Sequence, residues 1–177
     1  WRVYEHVITC IQNGQFLRLM IQASAGTGKS FLLTTIYLWC LVNDIKTKAA
    51  APTGIAAANI EIPKTDVSAV TLHNLFEFDG EFKSRMDFAK TTHPKCRDLL
   101  NLQVLLLDEV SMLDEICFEG VMNVLSTIDH TRRPNEIAAD CFGSVHMLLF
   151  GDFKQLPPAT SKAPFIIIPQ VHLHFDY

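Results

Sequence analysis

Short apolar runs alternate along the chain with longer segments in which apolar residues recur at helical spacing. The runs have the length of strands and lack polar alternation, which is typical of central strands in a parallel sheet that is covered on both faces. They predict strands at about 17–22, 46–51, 103–107 and 145–150. The longer segments predict helices at about 2–13, 31–42, 55–60, 71–76 and 113–128. This order predicts an α/β domain whose central, mostly parallel sheet carries helices on both faces.

The size and composition of the chain fit one such domain. With 177 residues, of which 49% are hydrophobic, the chain is long enough for one sizeable core and too short for two ordinary domains. Its five cysteines are widely spaced and include no C-x-x-C pair, which favours reduced core thiols in an intracellular protein. The apolar segment at 31–42 is well short of the roughly 20 residues that span a bilayer, so we expect no membrane partner.

Charge is unevenly distributed along the chain. The formal net charge of −4 lacks the broad positive character that usually marks a nucleic-acid-binding domain. Eight acidic residues and only two basic ones fall between Asp108 and Asp140. The other 13 basic and 11 acidic residues leave a balance of +2, so a small basic groove outside the acidic segment is compatible with the composition.

A glycine-rich loop between the first predicted strand and the next predicted helix is the main chemical motif. It runs from Ala23 to Ser30 with the sequence A-S-A-G-T-G-K-S, in the strand, loop and helix context that a phosphate-binding loop requires. Small residues let backbone N–H groups close around phosphate oxygens, and the helix directs its positive dipole end at them. The loop therefore predicts binding of a nucleoside triphosphate together with magnesium.

Individual residues of this loop have distinct expected roles. Lys29 can reach the terminal phosphates, and the hydroxyl of Ser30 can bind Mg²⁺. Further contacts to the triphosphate are expected from Ala25, Gly26, Thr27 and Gly28. The strict pattern begins with glycine, whereas this chain has Ala23, whose Cβ limits the backbone conformations open at the turn.

Polar side chains follow the two later predicted strands. Asp108 can hold the magnesium shell, directly or through water, and Glu109 can orient and deprotonate an attacking water. The loop at 151–158 should emerge at the same sheet edge. Its Gln155 suits a contact with the γ-phosphate, because an amide can hydrogen-bond both a phosphate oxygen and the lytic water.

The stretch from Asp79 to Asp98 has no clear period. It contains Phe82 and Phe88 among several basic residues, namely Lys83, Arg85, Lys90, Lys95 and Arg97. A solvated insertion and a contact surface for a polyanion both fit this composition.

These motifs occur in the order and spacing of one family. The matching segments are A-G-T-G-K-S at 25–30, A-P-T-G-I-A-A at 51–57, T-L-H at 71–73, D-E-V-S-M at 108–112 and G-D-F-K-Q-L-P-P at 151–158. The chain resembles the first RecA-like domain of the Pif-type (petite integration frequency) DNA helicases of superfamily one, including versions encoded by rolling-circle transposons. The resemblance implies one RecA-like P-loop NTPase domain over residues 1–177.

The resemblance also implies ATP-driven 5′-to-3′ unwinding of DNA in recombination and repair, with single-stranded DNA and duplex junctions as partners. By position, it assigns catalysis to Lys29, Glu109 and Gln155, and magnesium binding to Ser30 and Asp108. The implied contacts with single-stranded DNA are Pro52, Thr53, Gly54, Thr71 and His73. A hydroxyl and an unhindered N–H at a helix start are apt phosphate donors, which supports Thr53 and Gly54, whereas a core or capping role stays open for His73.

Some parts of such a motor are not expected within 177 residues. The second RecA-like domain, which completes the ATP cleft with an arginine finger and carries the other half of the DNA track, should belong to a longer parent chain. Because an arginine finger contributes roughly 10³ to 10⁵ in turnover, we expect weak or no activity from this domain alone. Family members also read adenine with a Gln near the helix before the phosphate loop, where this chain has only Trp1 to His6.

Two other functions fit the same residues. A P-loop ATPase switch would use ATP without translocating, and a non-enzymatic helicase remnant would keep the fold without turnover. For each of these functions, including that of a helicase motor, we expect an intracellular location, in the nucleus or the mitochondrion if the source is eukaryotic.

Overall fold

The computed structural model describes residues 2–63, 65, 68–90, 93–136, 142–152 and 154, together with a short strand at 174–175. The helices are α1 (Arg2–Gln12), α2 (Lys29–Val42), α3 (Gly54–Ala58), α4 (Leu72–Phe76), α5 (Pro94–Leu100) and α6 (Glu115–Arg132). The strands are β1 (Arg18–Gln22), β2 (Thr47–Ala51), β3 (Val70–Thr71), β4 (Val104–Leu107), β5 (His146–Gly151) and β6 (His174–Phe175). A 3₁₀ turn spans Val110–Met112. The predicted α/β order is confirmed, and α6 continues beyond its predicted end.

The six strands that the structure describes form one parallel sheet in the order β3-β2-β4-β5-β1-β6. β5 lies between β1 and β4, because Leu148 is the neighbour of Leu19 on one side and of Leu106 on the other. Parallel strands must be joined by crossover connections, and the helices supply them. As a result, the carboxyl ends of the strands meet at one side of the sheet, which we call the carboxyl edge.

Alternate residues of the central strands face opposite layers of helices. Leu105 and Leu107 pack in the core formed with α4, α5 and α6. Val104 and Leu106 pack in the second core, formed with α1, α2 and α3. Each residue of β4 is completely buried, which explains why this strand is an uninterrupted apolar run. The prediction of helices on both faces of the sheet is confirmed.

The described residues between 79 and 98 include a short hairpin and a helix. Phe78 and Ser84 form an antiparallel bridge, and the carboxylate of Asp79 accepts hydrogen bonds from two backbone N–H groups between them. We call residues 78–84 the hairpin. Farther along, α5 begins at Pro94, whose fixed φ suits the first position of a helix. The sequence did not predict α5 because seven residues are too few to establish a helical period.

Helix lengths also bear on membrane contact. Among the helices that the structure describes, none combines the length and the apolar character needed to cross a bilayer.

Candidate nucleotide and DNA site

The phosphate loop connects β1 to α2 at the carboxyl edge. Gly26 and Gly28 have φ values of 75° and 94°, in the left-handed region that favours glycine. Ala23 does not have a positive φ, so its Cβ is accommodated at the position where the strict motif has glycine. Its N–H donates to the carbonyl of Gly151 at 3.2 Å, which ties the loop to β5. The loop therefore takes its shape from two glycines and from the neighbouring strand.

The first turn of α2 presents unpaired backbone donors to this loop. Gly28 caps the helix without a side-chain hydrogen bond, and its carbonyl accepts the first helical bond from Leu32 at 2.9 Å. The N–H groups of residues 29–31 therefore have no carbonyl partner within the helix. Residues 24–28 are exposed to solvent. Exposed donors at the positive end of a 14-residue helix form a binding site for an anion.

The Lys29 side chain folds back over the loop. Its Nζ donates to the carbonyl of Ala23 at 2.6 Å and to that of Ser24 at 3.1 Å. The hydroxyl of Thr27 donates to the same Ser24 carbonyl at 2.7 Å, which braces the loop. Phosphate oxygens are stronger acceptors for an ammonium group than neutral carbonyls are. A bound triphosphate can therefore replace the two carbonyls as the partner of Lys29.

Asp108 is a buried carboxylate at the end of β4, with only 6% of its surface exposed. Its Oδ1 accepts a hydrogen bond from the N–H of Glu109 at 2.9 Å. Burial raises the pKa of Asp108, and the nearby Lys29 charge counteracts this only in part. A buried carboxylate that is short of positive charge is suited to a hard cation such as Mg²⁺. The exposed hydroxyl of Ser30 supplies a second oxygen donor at the same edge.

No group of three His, Cys, Asp or Glu side chains in the described part of the chain is arranged to hold a metal ion by itself. Mg²⁺ commonly binds through one or two carboxylates together with phosphate oxygens and water. The donors at Asp108 and Ser30 fit a metal that is bound in this way.

Glu109 sits at a sharp bend between β4 and the 3₁₀ turn. Its φ of 51° lies in the left-handed region, and its side chain is half-buried. Gly151 of β5 packs directly on this turn, where an added Cβ would lie 2.8 Å from Val110 Cγ2 and 3.3 Å from Ser111 N. The close approach explains a glycine whose role the sequence did not predict. The only sequence signal was a glycine at the end of an apolar run.

Two of the residues implied for DNA contact cap short helices on the other half of the carboxyl edge. Thr53 Oγ1 accepts from Ala56 N at 3.2 Å at the start of α3. Thr71 Oγ1 accepts from Asn74 N at 3.2 Å at the start of α4. Because Ala51 and Thr71 are paired neighbours in the sheet, the two capped turns lie side by side.

Two further residues of this group differ in what surrounds them. Pro52 is half-buried in the turn after β2. Gly54 follows in the same turn, where it has no positive φ and an added Cβ would meet nothing within 4 Å. Neither its backbone nor its neighbours therefore require glycine, which leaves room for a molecule that approaches the backbone closely.

His73 is exposed in α4, and its ring packs against two aromatic side chains. The ring centroids lie 4.9 Å from Phe82 and 6.1 Å from Phe78. The core role that the sequence left open for His73 is therefore wrong, because a core residue would be buried.

A cavity of about 840 Å³ opens beside the phosphate loop. It is bounded by Arg2, Val3 and His6 of α1, by β1 and by Asp152. Asp152 is buried and accepts a hydrogen bond from the Lys154 N–H at 3.0 Å. The cavity is large enough for a small organic ligand. Gln155 lies outside the described residues, so its contact with the γ-phosphate stays a prediction.

The comparisons with known proteins agree with this geometry. The family model described as PIF1-like helicase matches residues 1–168. The chain is 31% identical to the human ATP-dependent DNA helicase PIF1 over 156 residues, which cover 87% of this chain and 22% of that protein. The chain thus spans about a fifth of the length of this relative.

Solved structures of Pif1 helicases share the fold. The match to Bacteroides Pif1 bound to ssDNA has a TM-score of 0.65 at 28% identity and covers 89% of this chain and 33% of that one. The match to Bacteroides sp Pif1 in complex with ADP-AlF4 has a TM-score of 0.63 at 27% identity, with coverage of 93% and 35%. The RecA-like fold and the resemblance found in the sequence are confirmed. The chain belongs to the PIF1-like helicase family.

Proposed function

We propose that this chain is the ATP-binding motor domain of a DNA helicase, which drives 5′-to-3′ unwinding when it is joined to a second RecA-like domain. One observation carries the proposal: the phosphate loop, the buried Asp108 with Glu109, and the turns capped by Thr53 and Thr71 all lie at one edge of the sheet. Related proteins named as ATP-dependent DNA helicases, and Pif1 structures with ssDNA or ADP-AlF4, support it.

The phosphate loop binds the triphosphate in this proposal. The free N–H groups at the start of α2 donate to phosphate oxygens, and Lys29 exchanges its carbonyl partners for the terminal phosphates. Ser30 and Asp108 would hold Mg²⁺, which would supply positive charge for phosphoryl transfer. Arg2, Val3 and His6 border the cavity in which the base and the ribose are expected.

The same edge supplies the groups for hydrolysis. Glu109 lies at the bend directly after Asp108, the metal-binding residue at the end of β4. From this position its carboxylate accepts a proton from the attacking water. Gln155 orients that water and contacts the γ-phosphate. The second RecA-like domain supplies the arginine finger, so the isolated domain turns over slowly.

A hydrogen bond links the nucleotide site to β2, the strand that leads to the first of the proposed DNA turns. The N–H of Asp108 donates to the carbonyl of Ala50 at 3.0 Å, and β2 leads from there to Pro52 and Thr53. In this proposal, a shift of Asp108 on hydrolysis moves β2 and with it the residues that contact DNA phosphates. These contacts are independent of base sequence and suit an acidic protein that tracks along a single strand.

ATP titration and ssDNA-stimulated hydrolysis by the intact protein test the proposal. Lys29→Ala should lose ATP affinity, whereas Glu109→Gln should bind ATP but lose about 10²- to 10⁴-fold in turnover. Lys46→Ala and Glu119→Gln alter exposed residues of the same types away from the site and should match the unaltered protein. An unaltered protein that binds no ATP contradicts the proposal.

The same assays separate the alternatives. Hydrolysis that single-stranded DNA does not stimulate would indicate an ATPase switch. ATP binding without hydrolysis in the intact protein would indicate a non-enzymatic remnant. Fluorescence microscopy of the tagged protein would check the proposed intracellular location, in the nucleus or the mitochondrion of a eukaryotic source.

A further inference from the structure

Two aromatic rings, the exposed ring of His73 and the half-buried ring of Phe82, lie beside the turn that Thr71 caps. The ring centroids of His73 and Phe82 lie 4.9 Å apart with an interplanar angle of 59°, and Phe78 supports both rings at 6.0–6.1 Å. His73 is exposed and Phe82 is half-exposed, whereas Phe88 of the same stretch is buried. We call His73 and Phe82 the aromatic pair.

The hairpin holds Phe82 in a conformation that is unusual for a bulky residue. Its φ is 59°, and its N–H donates to the carbonyl of Asp79 at 3.2 Å. The carboxylate of Asp79 accepts hydrogen bonds from the N–H groups on either side of Phe82, at 2.8 and 2.9 Å. Bulky residues occupy this region of φ only where the surrounding structure imposes it, and such places are concentrated at functional sites.

A glycine in α6 completes this arrangement. A Cβ added to Gly120 would lie 2.6 Å from the carbonyl oxygen of Phe82 and 3.1 Å from its Cβ. The hairpin can rest on α6 only because residue 120 has no side chain. The position of Phe82 is therefore fixed by the hydrogen bonds of Asp79 on one side and by the close packing on Gly120 on the other.

Charge at the hairpin does not favour binding of a polyanion through lysines. Three lysines of the hairpin and the residues after it are paired with carboxylates, in the ion pairs Lys83–Glu81 at 2.7 Å, Lys90–Asp87 at 3.0 Å and Lys95–Glu77 at 3.2 Å. Beside these ion pairs lies aromatic surface, which stacks on nucleobases of any sequence. This surface begins two residues after Thr71, one of the proposed phosphate contacts.

We infer that the aromatic pair stacks against a base of single-stranded nucleic acid whose phosphate lies at the Thr71 turn. The inference rests on the proposed function and adds Phe82 as a positioning residue for the strand. Stacking holds one nucleotide in register while ATP turnover moves the protein, and it does so for every base because each has a π-face.

Oligothymidylates with 2-aminopurine at successive positions test the inference, because stacking quenches the fluorescence of this base. The intact protein should quench one position, and Phe82→Leu should abolish that quenching and weaken binding about 5- to 150-fold, as expected for one lost base–aromatic stack. Phe82→Leu keeps the apolar packing, and Phe82→Trp should restore quenching. The control is Phe16→Leu, which makes the same change at an exposed phenylalanine before β1, at the opposite edge of the sheet.

An abasic site at the quenched position separates stacking from a structural effect. It should weaken binding by the unaltered protein and have little further effect on Phe82→Leu, because both changes remove the same contact. Full additivity of the two changes, or a loss of DNA-independent ATP hydrolysis in Phe82→Leu, would overturn the inference. So would unchanged binding by Phe82→Leu, and that result leaves the proposed function intact. If the unaltered protein binds no single strand, the inference and the proposed DNA contact both fail.

Discussion

Gly151→Ala should disturb the nucleotide site from within the sheet. An added Cβ would lie 2.8 Å from Val110 Cγ2 and 3.3 Å from Ser111 N. Carbon atoms pack without repulsion at about 3.5–4.0 Å, so the Val110 side chain or the 3₁₀ turn must move by about 1 Å. Since this turn begins directly after Glu109, the displacement reaches the proposed catalytic base.

Opposing effects set the change in the free energy of unfolding. Replacing glycine by alanine within a strand stabilises by about 0.5–1 kcal/mol. Overpacking a buried site costs about 1–3 kcal/mol, so we expect a net destabilisation of about 0.5–2 kcal/mol. Turnover should suffer more, because a misplacement of about 1 Å at a catalytic group costs up to about 100-fold. ATP affinity should change little, because the phosphate loop supplies it.

Urea unfolding and single-turnover ATP hydrolysis measure these two effects in the same preparation. Gly80→Ala is the matched control, because a Cβ added at Gly80 meets nothing within 4 Å and its φ is not positive. The reasoning is refuted if Gly151→Ala hydrolyses ATP at the unaltered rate with unaltered stability. It is equally refuted if Gly80→Ala causes the same losses.

Two further predictions concern charge and stability. Burial raises the pKa of Asp108 in the folded protein above its value in the unfolded chain. The fold therefore favours the protonated carboxyl, and the free energy of unfolding decreases as the pH rises from about 4 through the pKa of the folded state. Asp108→Asn should therefore raise the urea midpoint of the nucleotide-free protein at pH 7 and remove that part of the pH dependence; an unchanged midpoint contradicts this. Arg132 donates hydrogen bonds to the carbonyls of Leu99, Leu100 and Leu102 at the end of α5. Arg132→Met should therefore lower the free energy of unfolding in urea by about 2–4 kcal/mol. A decrease below about 0.5 kcal/mol contradicts the idea that these hydrogen bonds stabilise the fold.

The sequence predicted those features that depend on local pattern. The residues of β4 are buried on both faces of the sheet, so every position is apolar. The strand could therefore be predicted from the sequence alone. The phosphate loop could also be predicted, because Gly26 and Gly28 adopt backbone conformations that few other residues adopt. The Thr71 cap of α4 was predicted for a similar reason, since its hydroxyl bonds an N–H only three residues away.

Features that depend on contacts between distant residues could not be predicted in this way. α5 and the hairpin are too short to show a period, and the hairpin is set by its contact with Gly120, which lies about 40 residues away in the sequence. The environment of His73 could not be predicted either. Its ring packs against Phe78 and Phe82, and only the tertiary structure shows these contacts.

The sequence by itself determined that this chain is an α/β domain with a phosphate loop and an acidic pair after a buried strand. Only the tertiary structure decided how closely the site is packed, that Gly151 must lack a side chain because β5 touches the turn after Glu109, and that the rings of His73 and Phe82 pack together. The physical reason is that local patterns record which residues are buried or turned, whereas the distances between strands and loops are set by the packing of side chains far apart along the chain.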